Sequence, residues 1–449
     1  MLDHKKPYLI ILLFLTCIIS ACGSVPEEQN PTSVEPPQIT ILPTNPAQAP
    51  KKSSGTYFGL THQRNDGTRR VDGKGSIPDT KSLEIPLSGQ AAWLVAVPYR
   101  EGSLWTVALA DGRLESFTLF DNIIESVNLV GEPLPPGAPL LIQVQENQVY
   151  LVVPPNSEAS PLTHPIVPDP ETGDFVFLSE TGDLVLWKNG QEIKRLEVNA
   201  LPDARILQDE KGRLLFLSDP TDRYDHGVLG DSLEAGSITL VDTKPELKLI
   251  NQIVIPAPEV IEGITPIWSD LDGDGHLEII VTVSNPNNGA RLVVYSEDGE
   301  VLAEGPAAGQ AYRWRHQISA APLGPNGEMR IVDVLRPHLD ATLEFFAWEE
   351  NNLVLKASLP GYSSHGIGSR NLDMALVGDF NGNGIQEVVV PDLSQESLNG
   401  IELVRDEANL AWTVQLGGKL TSNLAAVSLR DGSLILGAGV GETLLIWGQ

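Results

Sequence analysis

The feature that most constrains the fold is a loop-and-strand pattern that recurs in the second half of the chain. Three segments share it: "IWSDLDGDGHLEIIVTV" near 267, "SAAPLGPNGEMRIVDVL" near 319 and "ALVGDFNGNGIQEVVVP" near 375. Aligning Asp270, Pro322 and Asp379 gives steps of 52 and 57 residues. Each copy continues into a second pair of apolar runs, so a repeat holds about four strands, which is typical of a β-propeller blade.

Short apolar runs also fill the chain between residue 80 and these repeats. Runs such as "AAWLVAVPY" and "SITLVD" are broken by Gly, Asn, Asp or Pro, and no stretch keeps a helical period for three turns. We predict an all-β fold, a propeller over 56–449 with about seven four-stranded blades, six to eight being possible. The last copy has only three runs, so 81–87, "KSLEIPL", is predicted to add the missing outer strand and close the ring with N- and C-terminal strands.

The N-terminus has the features of a secretory signal. Lys5 and Lys6 precede the apolar run "YLIILLFLTCIIS", which is too short for a comfortable membrane span. The following "ISAC" resembles the lipobox of bacterial lipoproteins, which implies a signal peptide over 1–21 and lipidation of Cys22. An ordinary signal with an incidental cysteine is the alternative. Acyl chains would anchor the protein to a membrane of the cell envelope, facing the extracytoplasmic side.

Residues 22–55 are rich in Pro, Ser, Gln and Asn and have almost no periodic apolar pattern. They are predicted to form a disordered tether. The only cysteine besides Cys22 is Cys17, inside the predicted signal peptide, so the mature domain can form no internal disulfide. We therefore expect stability to come from core burial and from bound metal.

The charge balance excludes one class of partner. With 59 acidic and 30 basic residues the formal net charge is −29, and such a surface repels nucleic acid. An acidic surface suits an extracellular protein that collects divalent cations, although solubility alone explains it equally well.

The first repeat contains a concentrated set of oxygen ligands in the loop "DLDGDGHLE", called loop 1 (270–278). Positions 1, 3, 5 and 9 are Asp270, Asp272, Asp274 and Glu278, and position 7, His276, would contribute its backbone carbonyl. Glycines between them let the backbone curl around one point. Hard oxygen donors in a flexible turn favour Ca²⁺ over Mg²⁺ or Zn²⁺, the alternative being a solvated acidic turn.

Loop 1 differs from an EF-hand, which needs a bidentate Glu at position 12, where this chain has Val281. It is therefore predicted to join two strands. A second loop, "DFNGNGIQE", called loop 2 (379–387), has the same spacing with fewer charges. Its candidate calcium ligands are Asp379, Asn381, Asn383, Ile385 and Glu387. We expect both sites to be structural, and loop 2 to bind more weakly.

Loops 1 and 2 resemble those of FG-GAP or VCBS repeats in integrin-type β-propellers, in which a DxDxDGxxD/E loop joins the first two strands of a blade and holds calcium. The resemblance covers two blades clearly and, by its period, extends over 265–449. It implies the propeller fold and Ca²⁺, and no single activity. The middle loop (322–330), "PLGPNGEMR", keeps the turn but lacks the acidic ligands, so calcium is not expected there.

On the propeller template, the strand 2–3 loops and the connections between blades share one face, which is usually the ligand face. Four such segments, 219–236, 311–317, 336–340 and 361–371, hold four of the eight histidines. The candidate ligand-binding residues are Tyr224, His226, Arg313, His316, Arg336, His338, His365 and Arg370. Convergent histidines would resemble the metal site of oligogalacturonate lyase propellers. Surface histidines and arginines paired with acids are the alternatives.

Several functions fit this pattern. The leading prediction is a lipid-anchored, calcium-stabilised binding module for a glycan or an envelope protein. The alternative is a polysaccharide lyase or hydrolase that attracts acidic sugars through the His- and Arg-rich loops. An assembly factor of the outer envelope is a third possibility without a sequence feature of its own. The chain has no GxSxG, HExxH or P-loop motif, so no reaction class is indicated.

Overall fold

The computed structural model describes residues 56–58, 63–129, 134–145, 148–155, 158–169 and 172–448. The predicted signal peptide (1–21), Cys22 and the predicted tether (22–55) lie outside these residues. Within them, 33 strands and one three-residue 3-10 helix account for the regular structure, which confirms the all-β class. The same residues contain no helix that is both long and apolar enough to cross a bilayer.

The strands of the N-terminal third are β1 (Thr56–Phe58), β2 (Gln63–Arg64), β3 (Gly67–Thr68), β4 (Arg70–Lys74), β5 (Leu83–Pro86), β6 (Ala91–Tyr99), β7 (Gly102–Leu109), β8 (Leu114–Phe120), β9 (Ile123–Ser126), β10 (Ile142–Gln145) and β11 (Gln148–Leu151). The 3-10 helix, Ile77–Asp79, lies between β4 and β5.

The strands of the middle third are β12 (Phe175–Leu178), β13 (Asp183–Lys188), β14 (Gln191–Glu197), β15 (Leu207–Gln208), β16 (Leu214–Thr221), β17 (Glu234–Asp242), β18 (Lys248–Val254), β19 (Val260–Ser269), β20 (Glu278–Asn285), β21 (Gly289–Tyr295) and β22 (Val301–Glu304).

The strands of the C-terminal third are β23 (Arg315–Ala321), β24 (Arg330–Leu335), β25 (Thr342–Glu349), β26 (Asn352–Pro360), β27 (Leu376–Asp379), β28 (Glu387–Pro391), β29 (Ser397–Val404), β30 (Glu407–Gln415), β31 (Leu420–Ser428), β32 (Leu434–Val440) and β33 (Thr443–Trp447).

Hydrogen bonds join the described strands into six sheets, built from antiparallel meanders of consecutive strands. The meanders β6–β9, β12–β14, β27–β30 and β31–β33 lie in four separate sheets, and β1, β10 and β11 form a fifth. The largest sheet has 14 strands and contains the meanders β15–β18, β19–β22 and β23–β26. These three meet through single residue pairs, Ala235 with Ile261 and Glu304 with Asn352. The three aligned repeats of the sequence begin the meanders β19–β22, β23–β26 and β27–β30, of which the last lies in a separate sheet.

Burial falls from the first strand of a meander to the last. All ten residues of β19 are buried, and so are all eight of β20. The last strands, β18 and β30, each have one buried residue, Ile253 and Trp412. A strand buried on both faces is apolar at most positions, which explains the long apolar runs here, and its few polar side chains, such as Glu262 and Ser284, are hydrogen-bonded inside the core. The core thus lies along the first strands.

The closing strand predicted at 81–87 is present. Strand β5 pairs antiparallel with β33, and Ile85 lies opposite Leu444. Ile85 is buried in a hydrophobic cluster that also contains Trp105, a residue of β7. The same two meanders meet at Asn423, whose amide makes two 2.7 Å hydrogen bonds with the backbone N–H and C=O of Leu94. Residues from both ends of the described chain therefore share one core.

The N-terminal segment 63–74 has a role that the sequence did not indicate. Strand β3 pairs with β23 at Thr68 and Ala320, and β4 runs parallel to β27, with Arg70 opposite Val377. The segment is polar and each strand is short, so it has no alternating pattern to mark it. It adds strands to two sheets by pairing with strands more than 200 positions away.

The closing strand gives a direct test of the fold. We expect Ile85→Ala to lower the free energy of unfolding by about 2–4 kcal/mol, because a buried side chain of the shared cluster is lost. The control is Glu84→Ala, one residue earlier and exposed, which should change stability by less than about 0.5 kcal/mol. Urea unfolding of both variants measures the difference, and equal effects would contradict the packing of β5.

Candidate functional site

Loop 1 joins β19 to β20 and brings three carboxylates together. Asp270 directly follows β19, and Glu278 is the first residue of β20. One carboxylate oxygen from each of Asp270, Asp272 and Glu278 lies within 4.8 Å of the others. Asp274 and His276 are exposed and lie outside this group. The donors are all hard oxygens, which is the ligand set that Ca²⁺ prefers.

Backbone N–H groups hold the loop 1 carboxylates in place. The Asp270 carboxylate accepts hydrogen bonds from the N–H of Gly273 (2.7 Å) and of Gly275 (3.0 Å). Both glycines have positive φ, 81° and 88°, which a residue with a side chain adopts only at a cost. Glu278 accepts a hydrogen bond from the N–H of Leu271 at 2.7 Å. The loop is therefore curled around its acidic side chains.

The charge in loop 1 is not balanced within the loop. Burial, together with the nearby charges of Asp272, Asp270 and Asp274, raises the pKa of Glu278 to about 7 against the opposing effect of its hydrogen bond from Leu271. A carboxylate in this position is destabilised by its neighbours at neutral pH. A divalent cation at the centre of the group would relieve that repulsion.

Loop 2 joins β27 to β28 and has the same hydrogen-bond pattern. The N–H of Phe380 donates to Glu387 at 2.7 Å, as that of Leu271 does to the last acid of loop 1. The N–H of Gly384 donates to Asp379 at 3.0 Å, matching the bond from the second glycine of loop 1. Two loops more than 100 residues apart thus have the same fold, as their common spacing predicted.

The seventh residues of the two loops also correspond. The N–H of His276 donates to Asp274, and that of Ile385 donates to Asn383, both at 2.7 Å. The side chains of His276 and Ile385 are exposed. This arrangement fits the prediction that these two residues contribute only backbone oxygen.

Loop 2 differs from loop 1 in how its centre is balanced. The amides of Asn381 and Asn383 both donate to Glu402 of β29, at 3.0 and 2.6 Å. Burial raises the pKa of Glu387 to about 7, and the charges of Asp379 and Glu402 add to this. One oxygen of Asp379, Oδ1, is buried without a hydrogen-bond partner. The asparagines take up part of the negative charge, so a cation is less strongly required than in loop 1.

The middle loop, between β23 and β24, has a cation of its own at the ninth position. Arg330 stands where loops 1 and 2 have Glu278 and Glu387, and it is buried like them. Its guanidinium donates to Asp406 at 3.1 Å. A fixed positive charge would repel a metal ion, which agrees with the expectation that this copy holds no calcium.

Three of the four predicted histidines come together with a tryptophan, and we call this group the histidine stack (Trp314, His316, His338, His365). The Trp314 ring stacks on His316 with centroids 4.8 Å apart and meets His365 edge-on at 5.2 Å. His338 Nε2 and His365 Nδ1 are 2.6 Å apart, and His365 Nε2 lies 2.6 Å from the carbonyl oxygen of Ser369. Since a carbonyl only accepts, His365 donates through Nε2 and accepts from His338 through Nδ1.

The histidine stack is uncharged at neutral pH. Burial lowers the pKa of His338 and of His365 to about 4, and lowers that of His316 well below its usual range, with the charge of Arg69 adding to the effect. His338 Nε2 and His365 Nδ1 are hydrogen-bonded to each other, so these two nitrogens do not point at a common metal position. Within the described residues, loop 1 provides the one group of three or more side chains spaced to hold a metal.

The fourth histidine belongs to a neighbouring aromatic group. Tyr224 and Tyr312 stack with centroids 5.2 Å apart, and the N–H of Tyr312 donates to the Tyr224 hydroxyl at 2.7 Å. His226 lies 5.3 Å from the Tyr312 ring, and its Nδ1 is 2.5 Å from Glu262. Tyr312 is 54% exposed, so this group presents an aromatic ring to solvent. Arg313 stays outside it and donates to a glutamine side chain at 3.4 Å.

The other predicted arginines are paired with acids. Arg370 donates to Asp203 at 2.9 Å and to Asp231 at 2.7 Å, and Arg336 pairs with Asp340. Their charges are therefore compensated locally. Pairing of the arginines with acids is the alternative that the sequence left open. Because their charges are compensated, Arg336 and Arg370 do not form a positive patch that could attract an acidic sugar.

A pair of buried acids beside His226 was not predicted as a site. Glu262 accepts a hydrogen bond from the Ser284 hydroxyl, and Glu234 accepts one from the N–H of Gly263 at 3.3 Å. Burial raises the pKa of Glu234 well above its usual range, and the charge of Glu262 adds to this. The one sequence signal for Glu262 is its place as a charged residue inside the apolar run "VIEGITPIW".

Loop 1 generates a prediction on metal removal. We expect about 5 mM Ca²⁺ to stabilise the wild-type chain by about 2 kcal/mol over the same protein in chelator, given a dissociation constant of about 10⁻⁴ M. Asp272→Asn should lose most of this gain and still fold, because loop 2 has asparagine at the same position. Asp298→Asn, an exposed acid in another turn, is the charge-matched control. Thermal melting measures the shift, and a wild type indifferent to chelator would refute the calcium site.

The histidine stack generates a prediction on pH. Because the pKa of His365 is about 4 in the fold and about 6.5 ordinarily, the unfolded chain takes up protons first. Stability is thus complete above pH 6.5 and falls as the pH drops towards 4, by roughly 2 kcal/mol for this residue. His365→Gln should flatten this loss, whereas His276→Gln, which changes an exposed histidine, should not. Urea unfolding between pH 7 and 4 measures both, and parallel curves would contradict the assignment.

Comparisons with known proteins do not identify a family. No protein-family description matches the sequence, and no curated protein is significantly similar to it. The resemblance of loops 1 and 2 to FG-GAP or VCBS repeats therefore rests on the residues of those loops and the strands that flank them.

Proposed function

We propose that this chain is a lipid-anchored, calcium-stabilised β-propeller on the extracytoplasmic side of the cell envelope, and that it binds a glycan or an envelope protein. Lipidation at Cys22 would attach it to the membrane, and the opposite end of the molecule from loops 1 and 2 would carry the ligand. The proposal has three parts, the ring, the calcium and the ligand face, and each is supported by a different set of residues.

The ring is supported by the order of the strands. In the described residues the chain makes eight successive meanders, at the upper end of the expected six to eight: β6–β9, β10–β11 with β1, β12–β14, β15–β18, β19–β22, β23–β26, β27–β30, and β31–β33 with β5. The first and last share a hydrophobic cluster and the Leu94–Asn423 hydrogen bonds. Closing such a ring removes exposed sheet edges.

The observation that carries the binding function is the exposed Tyr312 ring. Its position is fixed by stacking on the buried Tyr224 and by the hydrogen bond from its own N–H to that hydroxyl. An aromatic ring that is held rigidly in solvent loses little entropy when a ligand packs on it. Sugar rings, with one apolar face of C–H groups, fit such a surface, so a glycan is our first choice of ligand.

The neighbouring side chains support binding more than metal chemistry. The histidine stack is neutral, and two of its members are bonded to each other rather than open to a cation. Two arginines of this region, Arg336 and Arg370, are paired with acids. A transition-metal lyase acting on acidic sugars would need histidine nitrogens that are free to bind a metal and arginines that are free to bind a carboxylate.

One observation favours a second candidate, a glycoside hydrolase. Glu234 and Glu262 are both buried, and their surroundings differ: Glu262 is bonded to His226 and Ser284, whereas the pKa of Glu234 is raised. A buried carboxyl group with a raised pKa, placed near a second acid, is the usual proton donor of glycoside hydrolysis. In that case Glu234 would be the proton donor.

A panel of neutral and acidic oligosaccharides, immobilised and probed with the full chain in Ca²⁺, tests the proposal. We expect binding that Tyr312→Ala weakens at least tenfold and that Phe120→Ala, which removes another exposed aromatic ring, leaves unchanged. Hydrolysis of a bound oligosaccharide that Glu234→Gln abolishes would establish the second candidate instead. Absence of binding to every glycan of the panel would refute glycan recognition.

A further inference from the structure

A cavity of about 290 Å³ lies where the first strands of two meanders begin. It opens between the starts of β6 and β31 and is bounded by the connection that leads into β27. Its polar and aromatic lining residues are Gln90, Trp93, Ser369, Arg370, Asn371 and Thr421. We call it the Asn371 cavity. Of these residues only Arg370 was a sequence candidate for ligand binding.

Asn371 lines this cavity and carries a buried N–H donor that has no hydrogen-bond partner among the described residues. Its Oδ1 accepts a hydrogen bond from the N–H of Asp373 at 3.1 Å, and its own N–H donates to the Ser369 hydroxyl at 3.0 Å. These bonds fix the side chain, and its Nδ2 is left without a hydrogen-bond partner although Asn371 is only 4% exposed. A buried N–H donor without a partner costs about 1–3 kcal/mol, so an acceptor in the cavity would be stabilised there.

The aromatic wall of the cavity is equally fixed. The indole Nε1 of Trp93 donates to the carbonyl oxygen of Gly137 at 2.8 Å, and the guanidinium of Arg205 lies 4.9 Å from the centre of the ring. Trp93 is 5% exposed and cannot swing away without breaking both contacts. Little of the ring is therefore accessible, and the apolar wall beside the hydrogen-bond donor is completed by the lining residues Ala92, Pro136 and Leu162.

The charge around the cavity selects against an acidic ligand. Arg370, the one cationic lining residue, is already bonded to Asp203 and Asp231. Burial raises the pKa of Asp203, and the charge of Asp231 adds to this, so the surroundings are electronegative. A carboxylate brought into the cavity would find no free cation and two acids nearby.

The wall that carries Ser369 is tied to the histidine stack. The Ser369 carbonyl accepts the hydrogen bond from His365, and its hydroxyl accepts the one from the N–H of Asn371. The stack therefore has a structural task, which is to hold the segment that positions the Asn371 amide. This explains why its histidines are buried and neutral without pointing at a common ion.

We propose that the Asn371 cavity binds a single uncharged pyranose residue of a glycan. The Asn371 amide donates to a hydroxyl or ring oxygen of the sugar, Trp93 packs on its apolar face, and Gln90 and Thr421 contact hydroxyls at the rim. A cavity of this size is at the lower end of the range for small-molecule sites, about 300 Å³, and has room for one sugar ring rather than a chain. The inference rests on the glycan-binding function above and narrows it to neutral sugars.

The test uses the full chain in Ca²⁺ and ligand-observed NMR. The probes are the methyl glycosides of glucose, galactose, mannose and N-acetylglucosamine, with glucuronate and galacturonate as acidic counterparts. We expect at least one neutral glycoside to bind with a dissociation constant of about 1 mM and the uronates to bind at least tenfold more weakly. Asn371→Ala should weaken the neutral ligand at least tenfold, and Asn409→Ala, which changes an asparagine on the exposed strand β30, should not.

A second variant guards against loss of fold. Asn371→Ala also removes the acceptor of the hydrogen bond from the N–H of Asp373, which could destabilise the fold. Gln90 is exposed at the rim of the cavity, so Gln90→Trp should leave the melting temperature unchanged. The larger side chain should block the ligand from entering. Undiminished binding in both variants, or uronates bound as well as the neutral sugars, would overturn the inference. So would the failure of all four neutral glycosides to bind at about 100 mM.

The outcome separates this inference from the function it rests on. If oligosaccharide binding is lost in Tyr312→Ala and retained in Asn371→Ala and Gln90→Trp, the chain is a glycan-binding module and the cavity is not its sugar site. If no oligosaccharide binds the wild type at all, glycan recognition itself is refuted.

Discussion

The structure depends on one constraint: the first strands of its meanders are buried on both faces and can be covered only by other meanders. Strand β19 has no exposed residue, whereas β18 and β30 have one buried residue each. No single meander could satisfy this alone, because a strand buried on both faces needs a layer on each side. Contacts between meanders, such as those of the cluster that holds Ile85 and Trp105, supply these layers. The loops between strands are therefore carried on a scaffold whose strands cannot move separately.

The three aligned loops differ in how the charge of the buried residue at their ninth position is compensated. Each has a buried residue at its ninth position, where the second strand begins. In loop 1 this is Glu278, among uncompensated aspartates that favour a cation. In loop 2 the ninth residue is still an acid, Glu387, but asparagines replace two of the aspartates, and their amides donate hydrogen bonds to Glu402. In the middle loop Arg330 brings its own positive charge and pairs with Asp406. The aligned position is thus kept while the compensation of its charge changes, and the middle loop also has Pro325 where loops 1 and 2 have a glycine with positive φ.

In the loops that carry the predicted histidines and arginines, most of these side chains are neutral or paired with an acid. His338 and His365 are held neutral by burial. Arg336 and Arg370 are paired with acids, whereas Arg313 donates to a glutamine side chain. What remains accessible is an exposed tyrosine and a small cavity with a fixed amide donor. Residue types alone suggested attraction of acidic sugars, because composition records which charges are present and not which are compensated. Only the pairing distances separate a positive patch from a set of closed ion pairs.

The amino-acid sequence by itself determined the features that depend on near neighbours. Short apolar runs broken by turn residues decided that the chain is all-β, and the spacing of oxygens and glycines decided that loops 1 and 2 curl alike, because both are set within about ten residues. The tertiary structure decided what meets across long separations: β3 with β23, β4 with β27, and Trp93 with Asn371 in one cavity. Such meetings follow from the burial of whole strands, which is a property of the assembled core. No local pattern of residues encodes them.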